Sequence, residues 1–221
     1  MLADGTMLLL DETGNVHAET TRVARPTGSG IAGLLDDSPT DLQRLLAAVQ
    51  EYTGTVLASA TGSGPEIVAL GDHNGFVRTI GGIADSASLH TGPVHALAAL
   101  SMPLDDKTAI PLIYSGGADG CVRAWSPGHA AMAASLLHRS SPVVCLDAAI
   151  TESGPCIVVA WGDGVVQHIQ WDTGAQHMFR PGPPVRAVAL DRNGRVFIGM
   201  DEALACLTPR RTLSGDSSSQ T

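Results

Sequence analysis

The sequence predicts an all-β fold built from a repeated strand unit, and three observations carry that prediction. First, Ser115-Gly-Gly-Ala-Asp119-Gly120-Cys-Val-Arg-Ala-Trp125 sets an Asp-Gly turn between an apolar run, Ile110 to Tyr114, and an alternating run ending in Trp125. Asp-Gly between two such runs is a strong hairpin signal, because the two central residues of a tight hairpin turn take positive φ. Second, the turn recurs: 45 residues separate Gly75 from Gly120 and 44 separate Gly120 from Gly164, each glycine following Asn or Asp. Third, Val56, Val94, Val143 and Val185 each open an apolar run after a Thr-Gly, Ser-Pro or Pro-Pro lead, at spacings of 38, 49 and 42 residues. A period of about 40–45 residues made of short strands and Asp-Gly turns is the signature of a propeller-type array.

The elements follow in order. Asp4 to Leu10, the turn Asp11-Glu-Thr-Gly14 and Asn15 to Ala18 read as a second and third strand lacking a first, so residues 1–23 form a partial unit. Residues 24–52 interrupt the repeat. Pro26 to Gly33 is a Gly/Ser linker, and Ser38-Pro39-Thr40-Asp41 reads as a helix start with Ser38 as N-cap and Pro39 in the first helical position. Leu42, Leu45, Leu46 and Val49 then repeat at i, i+3, i+4, i+7, which predicts one inserted α-helix with a single apolar face.

Residues 53–208 hold four units. Their second strands are Glu66 to Leu70, Leu112 to Ser115, Cys156 to Ala160 and Arg195 to Gly199. The turns are His73 to Gly75, Ala118 to Gly120, Gly162 to Gly164 and Met200 to Glu202. Third strands follow at Phe76 to Ile80, Cys121 to Trp125, Val165 to Trp171 and Ala203 to Leu207. The Ser-rich stretch 209–221 is expected to be a disordered tail.

Composition narrows the chemistry. The 221 residues are 44% hydrophobic but only 4% aromatic, so Val, Ile, Leu and Ala on strands must supply the core. A net charge of −9 repels phosphate, which argues against nucleic acid and anionic membranes as partners. Met7 to Leu10 is too short, and too closely flanked by Asp4 and Asp11-Glu12, for a signal peptide; the expectation is a soluble, cytoplasmic protein. Cys121, Cys145, Cys156 and Cys206 lie in strand-like runs with no CxxC spacing, as buried reduced thiols would.

The eight histidines form no HxH or HxxxH pair, so no metal is expected. Gly28-Ser-Gly30-Ile-Ala-Gly33 matches the dinucleotide fingerprint in letters, but lacks the preceding strand and following helix that give those glycines their purpose; no cofactor is expected. Asp36-Asp37 and Asp105-Asp106 are adjacent residues in loop-like segments, poorly placed for general acid–base work. The reading is of a protein without catalytic residues.

The repeat resembles the WD40 family, over roughly residues 53–208. In that family a His before the first strand, a Ser or Thr on the second, an Asp in the turn and a Trp after the third form one hydrogen-bonded network. By resemblance His90, Ser115, Asp119 and Trp125 fill those positions in one blade, and His138, Asp163 and Trp171 in the next, where Val159 stands in place of Ser. The blade before has Tyr52, Asn74 and Ile80 at the His, Asp and Trp positions, and the last keeps only Asp201. The fold implied is a WD40-like β-propeller of about five blades (four plus one partial) with one inserted α-helix. Seven blades are usual in the family. So the chain closes as five with its N-terminal strands pairing onto the last blade, associates with a second copy, or is a piece of a longer protein.

The resemblance implies a noncatalytic protein–protein interaction scaffold, whose partner is another protein or a second copy of the chain. By the family pattern, the loops 89–93, 138–142 and 181–184 share one face with the turns 72–75, 118–120 and 162–164. Partner contact is expected there, at His73, Arg123 and Arg139, and on the helix face Leu42, Leu45, Leu46 and Val49. Two alternatives remain open. One is a small-ligand-binding or hydrolytic propeller using a central channel, where the first strands contribute only His95, Asp147 and Arg186 as polar groups. The other is a split fragment of a larger WD40 signalling protein.

Overall fold

The structure is a computed structural model that describes residues 6–20, 48, 52–60, 65–105 and 107–208. Within them the all-β expectation holds. Five antiparallel sheets follow one another along the chain, each a meander of consecutive strands. The first is the pair β1 (Thr6–Leu10) and β2 (Val16–Thr20). The second holds β3 (Val56–Ala60), β4 (Ile67–Gly71), β5 (Phe76–Gly81) and β6 (Asp85–Ser88). The third holds β7 (Val94–Pro103), β8 (Ala109–Gly117), β9 (Cys121–Trp125) and β10 (Leu137–His138). The fourth holds β11 (Val143–Thr151), β12 (Gly154–Trp161), β13 (Val166–Gln170) and β14 (Ala175–Phe179). The fifth holds β15 (Val185–Leu190), β16 (Val196–Met200) and β17 (Leu204–Leu207).

Each sheet packs its faces against its neighbours, so the apolar core is divided into successive seams. Ala60, Ile67 and Val77 of the second sheet meet Val94, Ile113 and Trp125 of the third. Tyr114 and Val122 of the third meet Val143, Ile157, Val159 and Ile169 of the fourth. Val158, Ala160 and Val166 of the fourth meet Val185, Val196 and Ile198 of the fifth. A strand covered on both faces reads as a continuous apolar run rather than an alternating one. That accounts for Ile67-Val-Ala-Leu70 and Ile157-Val-Val-Ala-Trp161, whereas the outer strands β6 and β14 alternate between exposed and half-buried residues.

The marker valines are the keys of these seams. Val94 and Val143 are fully buried, and each rests on a glycine of the preceding sheet. A Cβ on Gly71 would lie 2.7 Å from Val94 Cβ, and one on Gly116 would lie 2.4 Å from Val143 Cγ1. After each of Val94, Val143 and Val185 the register shifts by one residue, a β-bulge that turns His95, Val144 and Arg186 outward.

Two expectations are corrected, and one of the three open ways of closing the array is removed. The hairpin at Gly120 needs one positive φ rather than two: Gly120 has φ 71°, and positive φ occurs only at glycines among the described residues. Gly120 N–H closes the turn on Gly117 O, while the Asp119 carboxylate accepts Cys121 N–H at 3.1 Å. The third strand of the fourth sheet is Val166–Gln170, so Trp171 belongs to the next turn, its carbonyl accepting Gly174 N–H. The N-terminal strands also do not complete the last sheet. Gly54 N–H donates to Gly14 O at 2.9 Å, as Arg139 N–H does to Gly120 O at 3.0 Å, which gives β1 and β2 the second and third positions of a unit. The fifth sheet already fills those positions with β16 and β17.

The predicted helix falls outside the described residues except for Ala48, which is helical and packs against the cluster of Leu8, Val16, Val68, Leu70 and Ile80. Leu42, Leu45, Leu46 and Val49, the glycines of 28–33 and the tail 209–221 lie outside the described residues.

Candidate functional site

The turns between second and third strands and the loops leading into first strands meet at one end of the sheets, tied by main-chain hydrogen bonds. His90 N–H donates to Gly75 O and Val94 N–H to Asp72 O; Ala118 N–H donates to Pro93 O, and Gly162 N–H to Pro142 O, all at 2.9–3.1 Å. The face is therefore a set of loops fixed to each other and to the sheets beneath.

In the third sheet three side chains form a chain of bonds through its buried edge. His90 Nε2 lies 2.8 Å from Ser115 Oγ, and His90 Nδ1 lies 3.0 Å from Asp119 Oδ1. A carboxylate only accepts, so Nδ1 carries the proton and Nε2 accepts from the Ser115 hydroxyl. Burial holds the imidazole pKa below its ordinary value, against the opposing pull of Asp119, so the ring is neutral at pH 7. Burial acts to raise the Asp119 pKa, but the Cys121 N–H and the His90 ring outweigh it and keep the group ionised. The bonds require Gly117: a Cβ there would lie 2.4 Å from His90 Nδ1.

Trp125 stands outside that chain of bonds. Its Nε1–H donates to His129 O at 2.9 Å, while its ring fills the seam with the second sheet. The indole thus ties down the loop between β9 and β10, helped by Arg123, whose Nη1 donates to Ala133 O at 2.6 Å. Arg123 is half-buried and committed to that loop, so it is not a free contact residue.

The fourth sheet replaces the histidine with another chemistry. His138 is exposed, pairs with Cys121 in the β9–β10 ladder, and does not hold Asp163. Arg139 does: its main chain bonds Gly120 O as His90 bonds Gly75 O, and its Nη2 donates to Asp163 Oδ2 at 2.5 Å. Where Gly117 leaves room for an imidazole, Trp161 fills the space, and the Arg139 guanidinium lies 5.5 Å from its ring centroid. Arg180 adds a bond from Nη1 to Asp163 O at 2.6 Å. The Trp125 position is taken by Ile169, which pairs with Ile157 as Trp125 pairs with Ile113; Trp171, two residues on, packs at the margin of the seam beside Tyr114. Spacing alone could have found Arg139, since it precedes Val143 by four residues as His90 precedes Val94.

In the second sheet Asp72, rather than Asn74, organises the turn by accepting Asn74 N–H and Phe76 N–H at 2.8 and 3.0 Å, which presents His73 to solvent. In the fifth, Arg186 clasps Asp201 with two bonds at 2.7 and 3.1 Å.

The three polar residues of the first strands are each engaged in structure. His95 Nδ1–H donates to Val143 O at 2.9 Å, Asp147 Oδ2 accepts Leu190 N–H at 2.8 Å, and Arg186 holds Asp201. No group of three or more His, Cys, Asp or Glu among the described residues is placed to hold a metal ion.

Neither a protein-family model nor a curated protein matches the chain. Solved structures do. The structure of U3-55K aligns with a TM-score of 0.61 at 17% identity, covering 92% of this chain and 57% of that one. The computationally designed Ika8 protein aligns at 0.56 and 18%, covering 92% and 55%. The RRP9 WD40 repeats align at 0.53 and 21%, covering 67% and 44%. The chain thus spans about half the length of these structures. At such identities the likeness fixes the fold: a propeller-type succession of antiparallel sheets, three of them four-stranded, similar to that of the RRP9 WD40 repeats.

Proposed function

We propose that the protein is a noncatalytic member of the WD40 family that acts as a protein-interaction scaffold in the cytoplasm. The observation that carries this reading is the loop face. Its turns and connecting loops are bonded to one another, so little conformational entropy is lost when a partner docks. The absorption of His95, Asp147 and Arg186 into structural bonds favours this reading over a reaction in a central channel. The free thiols at Cys121, Cys145, Cys156 and Cys206 suit a reducing compartment.

The test is a tagged pull-down from native lysate with stoichiometry by mass spectrometry, repeated with His73→Glu on the loop face, Leu45→Asp/Leu46→Asp on the predicted helix, and Met178→Lys on the exposed outer strand β14. A stoichiometric protein lost with His73→Glu but kept with Met178→Lys supports the loop face. Loss with the helix variant alone moves the contact to the helix. Recovery of folded, monodisperse bait alone overturns the scaffold reading.

A further inference from the structure

We propose that the seam between the fourth and fifth sheets is an acid-responsive element triggered by His168. The residue is 3% exposed, and both ring nitrogens are buried without a hydrogen-bond partner. A buried imidazole with neither donor nor acceptor opposite it is unusual, and it tolerates only the neutral form.

Register shows what surrounds it. Asp147, Val158, His168 and His177 are successive cross-strand neighbours on β11, β12, β13 and β14, and therefore lie on one face of the sheet. That face carries Val158, Ala160 and Val166 against Val185, Val188, Leu190, Val196 and Ile198 of the fifth sheet. The His177 ring stacks on His168 at 6.0 Å between centroids and 25° between planes, and Phe179 stacks on His177 in turn at 6.4 Å.

The other titratable groups on this side are already engaged or are poor counter-charges. Asp147 is separated from His168 by Val158 and accepts Leu190 N–H. Burial keeps the Cys145 and Cys156 thiols protonated, with pKa values of about 11. On the fifth sheet, Asp191 is closed on Arg195 at 2.6 Å and Asp201 on Arg186 at 2.7 Å.

A proton on His168 therefore places an unpaired cation in an apolar seam, beside a second imidazole that repels it once charged. The least costly relief is to move β14, an edge strand with Met178 exposed, so that water reaches the ring. Burial, with His177 adding to it, holds the His168 pKa below its ordinary value, so opening sets in on the acid side of about 6.5. β14 leads directly into Arg180, which holds the Asp163 turn, so opening also releases one tie of the loop face. Any effect on a partner rests on the scaffold reading; the opening itself does not.

The test uses the full chain. The His168 ring is titrated by NMR, and amide exchange in β13–β16 is compared between pH 7.5 and 5.0 after correction for intrinsic rates. Expected are a His168 titration below about 6.5 and an opening constant for β14 and β15 that rises up to about tenfold per pH unit through it. His168→Leu should remove the rise and the exposed His138→Leu should retain it. Titration at or above the ordinary histidine value, or an unchanged acid response in His168→Leu, overturns the proposal. If His168→Leu does not fold, the wild-type data decide: midpoints of titration and opening that fail to coincide also overturn it.

Discussion

Replacing His90 with alanine removes the centre of the buried Ser115–His90–Asp119 relay, and its cost can be worked from the geometry. Ser115 Oγ lies at a fully buried position and loses its partner, a penalty of about 1–3 kcal/mol for an unsatisfied buried hydroxyl. The bond to Asp119 contributes about 1 kcal/mol, toward the lower end because the Asp119 side chain is 13% exposed and water can replace the ring. The space left by the imidazole adds about 1 kcal/mol. The total, about 3–5 kcal/mol, is a large fraction of a domain stability of about 5–15 kcal/mol. Urea unfolding followed by the fluorescence of Trp125, Trp161 and Trp171 should show the midpoint lowered by about 1–2 M at an m-value of about 3 kcal/mol/M. The effect should also depend on pH. The folded His90 pKa is depressed, so the neutral ring's contribution is whole above about 6.5 and fades as pH falls through the folded value; His90→Ala should lack that part of the acid sensitivity. A loss under about 1 kcal/mol at an unchanged m-value would refute the reasoning, since it would mean that water or a neighbour satisfies Ser115 without the ring.

The corresponding change in the fourth sheet, Arg139→Ala, should cost only about 1–2 kcal/mol in the same assay, because the Arg139 and Asp163 side chains are 31% and 32% exposed and the stacking on Trp161 supplies part of the total. Gly120→Ala should lower the thermal midpoint by several degrees more than Gly128→Ala: both have positive φ, but a Cβ on Gly120 collides with Arg139 O, whereas one on Gly128 meets open space. Trp125→Phe keeps an aromatic ring in the seam but deletes the bond to His129 O; limited proteolysis between β9 and β10 should accelerate while global stability falls by about 1 kcal/mol.

The sequence made the repeat legible because its period is written in the few residue types that a backbone demands. Glycine stands at φ 85°, 71° and 82° in three successive turns, at Gly75, Gly120 and Gly164, where other residues would be strained. The second strands declare their double burial by unbroken apolar runs. The fourth strands were harder to see. β6 is Asp-Ser-Ala-Ser and β10 only Leu137–His138, pieces held by a neighbouring ladder rather than by their own β propensity. The bulges after Val94, Val143 and Val185 were also illegible, since a shift of register leaves no residue type behind it.

Position in the repeat locates the fourth-sheet tie better than the letters of a motif do. Residue type points to His138, whereas position points to Arg139, four residues before its valine. What the third and fourth sheets share is a donor from the incoming loop facing the turn aspartate, together with a residue beneath it whose volume is complementary. The third sheet pairs a compact imidazole with Gly117, and the fourth pairs a long guanidinium with Trp161. Neither member can be exchanged alone. Gly117 with a side chain strikes the His90 ring, and Trp161 reduced to glycine leaves the Arg139 guanidinium without the surface it lies on. The two arrangements also differ in response: the histidine version weakens in acid, whereas arginine keeps its charge at every accessible pH. Asp163 is held low by the Arg139 bond and sits between two guanidiniums, so its turn stays tied down until the carboxylate itself is protonated. One architectural position therefore carries an acid-labile tie in the third sheet and an acid-resistant one in the fourth.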